Sequence, residues 1–373
     1  MEDYPETLQQ FESRFSTEEA CREYLFQLRW PEGFRCPRCG GGKAWAVGAT
    51  LFQCSGCDHQ TSVTAGTVFQ DTRKSLTIWF RAMWYVTSQK NGASALGLQR
   101  VLGLGSYRTA WSWLHKLRRA MVRPDRDRLT GWVEVDETYL GGLEEGTAGR
   151  GAEEKALIVI AAQADGKRIG RIRMRVIPDA SAASLHLFIK DYIEPGSTVQ
   201  TDGWQGYAGL KGYDHEVTKI RGRRKEASKL LPRVHLVASL LKRWLTGTHQ
   251  GAVSHKHLPY YLDEFTFRFN RRRSKSRGKL FFRLMQQAAA TGPIPCAQPV
   301  SRTVISQRRL ARVVTRAQVP QHEGRTQACR IRGLFDRTQL RLAPAFPSTK
   351  HRFLWRAPPC RTSPALRCTG RCD

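Results

Sequence analysis

Polar and apolar positions alternate most regularly in Trp132-Val133-Glu134-Val135-Asp136-Glu137-Thr138-Tyr139, just before Gly141-Gly142, and the period of two predicts a strand. A shorter run, Ser197-Thr198-Val199-Gln200-Thr201, predicts a second strand that delivers Asp202 onto the loop Gly203-Trp204-Gln205-Gly206-Tyr207. Between them, Ala156 to Ala162 and Ile169 to Val176 read as a hairpin around Asp165-Gly166, followed by a helix from about Ala180 to Tyr192. A further strand is expected near His215 to Ile220. A helical pattern then runs from Pro232 to Leu245, with Pro232 suited to its first turn. This order predicts an α/β domain over residues 131–292, a mixed sheet flanked by helices, and Leu280 to Ala290 is its last amphipathic helix.

Upstream the period is helical. In residues 1–30, Ser16-Thr17-Glu18-Glu19 has the spacing of a capping box, and Cys21, Tyr24, Leu25 and Leu28 follow at helical intervals. Over residues 74–123, Leu76, Trp79, Phe80, Met83 and Trp84 share one face, and Asn91-Gly92 breaks the run. A helix from Ala93 to Val101 then leads through Leu102-Gly103-Leu104-Gly105 into a basic helix starting near Ser106. Two helices across a short Gly-containing turn predict a helix-turn-helix, with Arg108, His115, Lys116, Arg118 and Arg119 facing phosphates; an ordinary helical hairpin is the plain alternative.

Charge adds what the periodicity does not. The 373 residues carry 61 Lys and Arg against 32 Asp and Glu, a formal charge of +29, which points to a polyanion such as double-stranded DNA as partner. No apolar run reaches the roughly 20 residues that span a bilayer, and the acidic start Met1-Glu2-Asp3-Tyr4 is unlike a signal peptide, so a cytoplasmic protein is expected.

Ten cysteines in such a chain are not expected to pair as disulfides. Cys36-Pro37-Arg38-Cys39 and Cys54-Ser55-Gly56-Cys57 instead have the spacing of a zinc ribbon over residues 31–70, in which four thiolates close a structural site for Zn2+. Arg35, Arg38, Lys43 and Trp45 around it suit DNA contact, although ribbons also dock proteins. Asp136 and Asp202, at two strand ends, could share a divalent metal. His235 and Lys242 are seven residues apart and so lie on one face of their helix. Taken singly, each has a plain alternative: a strand-end Asp as a turn residue, a helical His as a structural one.

These residues carry a resemblance. Val135-Asp136-Glu137-Thr138-Tyr139-Leu140-Gly141-Gly142, Thr201-Asp202-Gly203-Trp204, Val234-His235 through Leu241-Lys242-Arg243-Trp244-Leu245, and Tyr261-Leu262-Asp263-Glu264-Phe265 to Arg268-Phe269-Asn270-Arg271-Arg272 resemble bacterial insertion-sequence transposases of the RNase H-like (DDE or DDH) superfamily, in the subgroup with an N-terminal zinc ribbon and an ISXO2-like domain. The resemblance runs from about residue 10 to 295. It implies an RNase H-like catalytic domain whose first and fourth strands and late helix converge, with Asp136 and Asp202 as the first two catalytic residues and His235 and Lys242 in the third place and the Lys that follows it. Glu264 is a reserve for the third metal-site group. With Arg268 and Arg271 it matches a family motif whose plain alternative is a salt-bridged stripe.

The implied reaction is cleavage of DNA at terminal inverted repeats and strand transfer into target DNA, assisted by Mg2+ or Mn2+, hard cations suited to Asp oxygens. Lys242 and Arg243 would position the phosphate. Arg268, Arg271, Arg272 and Arg273, continuing into Ser274-Lys275-Ser276-Arg277-Gly278-Lys279, would track a DNA backbone, and a homo-oligomer on DNA is implied by resemblance only. Residues 296–373 depart from the family pattern. They are rich in Arg and Pro, lack a sustained apolar period, and read either as a disordered DNA-binding extension or, preferred, as a frameshifted or read-through end. The competing function is a non-catalytic DNA-binding regulator or an inactive remnant.

Overall fold

In a computed structural model the residues described are 3–123, 126–141, 155–218, 227–251 and 253–293. The chain divides into two units, Met1–Arg308 and Arg309–Asp373. The expected tail from residue 296, part of the predicted linker (Pro124 and Asp125), and the loop after Gly141 lie outside the described residues.

The N-terminal segment forms two helices where the sequence suggested one. In α1 (Leu8–Arg14), Thr7 and Gln10 make a reciprocal capping box. In α2 (Glu18–Arg29) the cap is Thr17, whose hydroxyl accepts the Ala20 N–H. The Glu18 carboxylate is thereby free to accept the N–H groups of Leu76 and Thr77, at 2.9 and 3.2 Å, and caps a helix 58 residues away. Three short antiparallel strands follow, β1 (Ala44–Val47), β2 (Leu51–Cys54) and β3 (Gln60–Ser62). Phe52 packs them against Phe26, Trp30 and Phe34.

Next come α3 (Leu76–Ser88), α4 (Ala95–Leu102) and α5 (Tyr107–Ala120). The predicted apolar face of α3 is its buried face, and Trp79 stacks on Trp113 of α5 at 3.7 Å between centroids. Helix α4 ends at Gly103 in the left-handed conformation, which turns the chain into α5 within four residues.

The α/β part contains β4 (Trp132–Leu140), β5 (Ala156–Asp165), β6 (Arg168–Ile177), α6 (Ala182–Tyr192), β7 (Thr198–Asp202), β8 (Asp214–Thr218), α7 (Ala227–Leu230), α8 (Pro232–His249), α9 (Leu258–Asn270) and α10 (Arg277–Ala290). Among the described residues its sheet has the order β6-β5-β4-β7-β8. Strand β4 pairs antiparallel with β5 and parallel with β7, so the first and fourth strands are neighbours, as an RNase H-like domain requires.

Alternation sorts the two faces. Val133, Val135, Leu157, Val159 and Val199 pack with Leu185, Phe188 and Ile189 of α6. Ile158, Ile160 and Ala162 pack under Val237 and Leu241 of α8 and Leu262 and Phe265 of α9. Helix α10 departs from the 131–292 grouping. Phe281 meets the rings of Phe11, Phe15 and Trp84, and α10 buries its apolar side in the N-terminal core, because that is where aromatic surface remains to be covered.

Candidate active site and metal centre

One strand builds most of the acidic site. In the parallel ladder Glu134 of β4 lies opposite Gln200 of β7, and two residues further along each strand stand Asp136 and Asp202. A step of two keeps side chains on one face, so both aspartates share the face of Glu134. Glu134 is fully buried under the start of α8. Its Oε2 accepts the N–H groups of Arg233 and Val234 at 2.7 and 3.0 Å, and its Oε1 accepts Arg233 Nη1 at 2.7 Å. This strand carboxylate caps a helix whose own N-cap residue, Leu231, has no side chain able to do so.

The residue after Val234 is His235, and its Nε2 comes within 3.8 Å of Asp136 Oδ2. That nitrogen is buried and has no hydrogen-bond partner. Burial lowers the imidazole pKa from its ordinary value; Glu134 and Asp202 pull it up and Lys242 pushes it down again. A neutral ring with an available lone pair results at pH 7. Lys242 is exposed on α8, two turns further along.

The loop after β7 is held by its own residues. Asp202 Oδ1 accepts the Trp204 N–H at 3.0 Å, and Trp204 Nε1 donates to the Ala180 carbonyl at 2.8 Å. A Cβ at Gly206 would stand 2.5 Å from that same carbonyl, so the loop closes only with glycine there. Closure buries Tyr207 completely, with its hydroxyl donating to Glu137 Oε2 at 2.7 Å. Burial and the neighbouring charges of Glu137, Asp136 and Asp202 push the phenol well above its ordinary range. Glu134, Glu137 and Tyr207 were not singled out in the sequence. The signal available for Glu134 was its place two residues before Asp136, on the same face.

The ribbon's cysteines form the second centre. Cys36 and Cys57 sulfurs are 3.7 Å apart, those of Cys39 and Cys54 3.5 Å, and all four lie within 4.8 Å of one another. Thiolates about 2.3 Å from a tetrahedral zinc stand roughly 3.8 Å apart, so the four fit Zn2+. Among the described residues this is the one group of three or more ligands gathered so closely; Asp136, Asp202 and His235 do not close into such a group. Two carboxylates and an orphaned buried imidazole nitrogen nonetheless suit a divalent cation held by hard oxygens and one nitrogen.

The basic residues divide. Arg108 and Arg119 of α5 and Arg243 of α8 are exposed, and Lys116 is partly so. Arg118 does not face solvent. It is 1% exposed, donates from Nε to Glu264 Oε2 at 2.8 Å, and lies over the Tyr261 ring at 4.0 Å. Arg268 donates to the other Glu264 oxygen at 2.9 Å and to the Val86 and Gln89 carbonyls at the end of α3. Their geometry replaces the expected phosphate contacts, because the buried Glu264 carboxylate is paired with both guanidinium groups.

Glu264 is therefore held away from any ligand role. Its burial opposes ionisation, but Arg118 and Arg268 outweigh that and hold its pKa down at about 2. Arg271 lies over Phe267 at 4.1 Å, and burial, then the charges of Arg283 and Arg123, lowers its pKa to about 10. Arg272 donates to the Gly170 and Ile169 carbonyls and Arg273 to Asp165 Oδ2 at 2.5 Å, so this pair pins the β5–β6 hairpin while remaining exposed.

Comparison with known proteins identifies two matching families and a relative. Residues 128–270 match the family described as the ISXO2-like transposase domain, and residues 16–60 match the transposase zinc-ribbon domain. Over 281 residues the chain is 31% identical to an uncharacterized protein in the transposable element ISH50 of Halobacterium salinarum, covering 68% of this chain and 91% of that protein. Among the described residues no helix is long and apolar enough to cross a membrane.

Proposed function

This chain belongs to the ISXO2-like transposase family, and from that premise we propose that it binds the terminal inverted repeats of its insertion sequence, cleaves there, and joins the freed strand to target DNA. What supports the proposal is two aspartates on one face of neighbouring strands, with His235 beside the first of them. Asp136 and Asp202 stand at matching positions on β4 and β7, and the unpartnered His235 Nε2 sits 3.8 Å from Asp136.

Asp136, Asp202 and His235 would hold Mg2+ or Mn2+, which when bound neutralises charge at the phosphodiester and activates the attacking oxygen. The rest falls to the protein's own groups. Glu134 fixes the first turn of α8 and so sets where His235 stands. The neutral imidazole leaves the site one negative charge short of a three-carboxylate arrangement, so the cation is held less tightly than there. Exposed Lys242 and Arg243 orient the phosphate. Arg108, Lys116 and Arg119 on α5 grip the repeat together with the zinc-stapled ribbon, and the work is done in the cytoplasm on the nucleoid, by a homo-oligomer assembled on DNA.

The test is Mg2+-dependent cleavage of a duplex carrying the element's end. Asp136→Ala should reduce the rate by on the order of a thousandfold while leaving duplex affinity and zinc content unchanged. Equal cleavage by variant and parent would overturn the assignment of Asp136, and a parent that binds the duplex without cleaving it would belong to the regulator or remnant class.

A further inference from the structure

Helix α8 carries His235 in its first turn and Lys242 just past its middle, and its far end meets the turn between α3 and α4. Trp244 Nε1 and Thr248 Oγ1 both donate to the Asn91 carbonyl, at 2.9 and 2.6 Å, in the turn between α3 and α4. The next residue, Gly92, is left-handed (φ 84°). A Cβ there would stand 3.0 Å from Trp244 Nε1 and 3.2 Å from Glu264 Oε1, so this turn is pressed between α8 and the buried carboxylate. Glu264 in turn holds Arg118 of α5 and Arg268 of α9, and Arg268 seals the last carbonyls of α3. His249, at the end of α8, sets its ring against Tyr261, which lies under Arg118. The end of α3, the α3–α4 turn, α5, the end of α8 and α9 thus converge on one carboxylate.

We propose that Glu264, with Trp244 and Thr248, is a positioning joint: it fixes α8, and through it His235 and Lys242, to the helix pair that grips DNA. The inference rests on the reading of α4–α5 as the DNA-binding pair and of the Asp136 site as the place of cleavage. Physical chemistry favours a joint over an incidental salt bridge. A carboxylate with no exposed surface must be fully paired, and here the pairing draws its donors from two helices and, through Arg268, ties in a third. Such an element transmits displacement, because a packed and hydrogen-bonded core shifts between discrete arrangements and does not deform continuously.

The test severs the α8 link without stranding a buried charge. Trp244→Phe combined with Thr248→Val removes both donors to Asn91 and leaves its carbonyl, which lies near the surface, to water. In the zinc-loaded full chain, a duplex carrying the element's end should bind with unchanged affinity. In the parent that duplex should slow backbone hydrogen exchange across residues 233–243; in the double variant this response should vanish, and cleavage at saturating duplex should fall roughly tenfold with KM unchanged. Persistence of the exchange response in the variant, or a loss that lies wholly in KM, overturns the joint. The exchange readout needs no cleavage: a parent that binds and responds without cutting would sink the catalytic proposal and support the joint. Glu264→Gln paired with Arg118→Met serves as the second variant, should the first fail to fold, and the same outcomes decide.

Discussion

The two ends of α8 hold two clusters of charged groups, built in opposite ways. At its start, Asp136 and His235 are each partly exposed, and a buried imidazole nitrogen has no hydrogen-bond partner. At its far end, Glu264 has almost no exposure and both of its oxygens are bound by guanidinium groups. An unmet buried polar atom is destabilising, and one that stands 3.8 Å from a carboxylate is where a cation would complete the group. The Glu264 carboxylate is already fully paired and has no capacity left for a ligand, although the ring nitrogens His115 Nδ1 and His249 Nε2 near it also lack a hydrogen-bond partner. Net charge and residue type do not mark Glu264 as structural; the guanidinium pairing of both its oxygens does. This is why Glu264, a reasonable reserve for the third metal-site residue on its motif alone, is better read as structure, whereas His235 keeps its place in the proposed site.

The comparison breaks if removing Glu264 proves harmless. Glu264→Ala should destabilise the fold by about 3–5 kcal/mol, because Arg118 is left charged in a buried position. Denaturant unfolding measures this directly. The pH dependence gives the same answer independently. The folded pKa, about 2, lies below the ordinary 4.5, so the carboxylate's contribution is complete above pH 4.5 and is lost as pH falls through about 2. The variant should lose less stability than the parent over that window.

A smaller effect is expected at Glu134, which is also buried and paired but stands beside the proposed site. Glu134→Gln should cost about 1–3 kcal/mol, since charge-assisted bonds to the first turn of α8 are weakened. Arg233→Gln should cost less, because the two backbone N–H bonds to Glu134 survive it. Equal losses in the two variants would mean that the ion pair, and not the helix cap, fixes α8.

Much of this was legible from alternation. The strands of the α/β part, the hairpin at Asp165-Gly166 and the Pro232 helix fall where the sequence pattern placed them: β4 alternates over its length, and β5, covered on both faces, is a continuous apolar run ended by a turn. What was hidden depends on partners far along the chain. Glu134 meets Arg233, 99 residues on, and Glu264 meets Arg118 across 146; no local pattern encodes such pairings. Arg118 is a different case. It follows Leu114 by four, on the same stripe as Trp113 and Leu117, so the period of α5 already set it on the buried side, and charge alone suggested DNA. The α10 departure has the same origin: its apolar stripe was visible, but not which core it would cover.

The sharpest form of the comparison uses neighbours in sequence. Arg119 follows Arg118 on α5, rotated by about 100°, and lies exposed where Arg118 is buried. Arg119→Ala should leave unfolding unchanged. It should weaken duplex binding by less than about 1 kcal/mol at moderate salt, because an exposed charge against a phosphate is heavily screened. Its signature lies in the salt dependence. One lost phosphate contact releases one fewer counterion, so the slope of log affinity against log salt should become shallower by about 1, whatever the duplex sequence. Anisotropy titrations at several salt concentrations read that slope. If Arg119→Ala instead destabilised the fold and left the slope intact, exposure on α5 would not mark the DNA-facing side, and the division of its basic residues into structural and DNA-gripping would have to be redrawn.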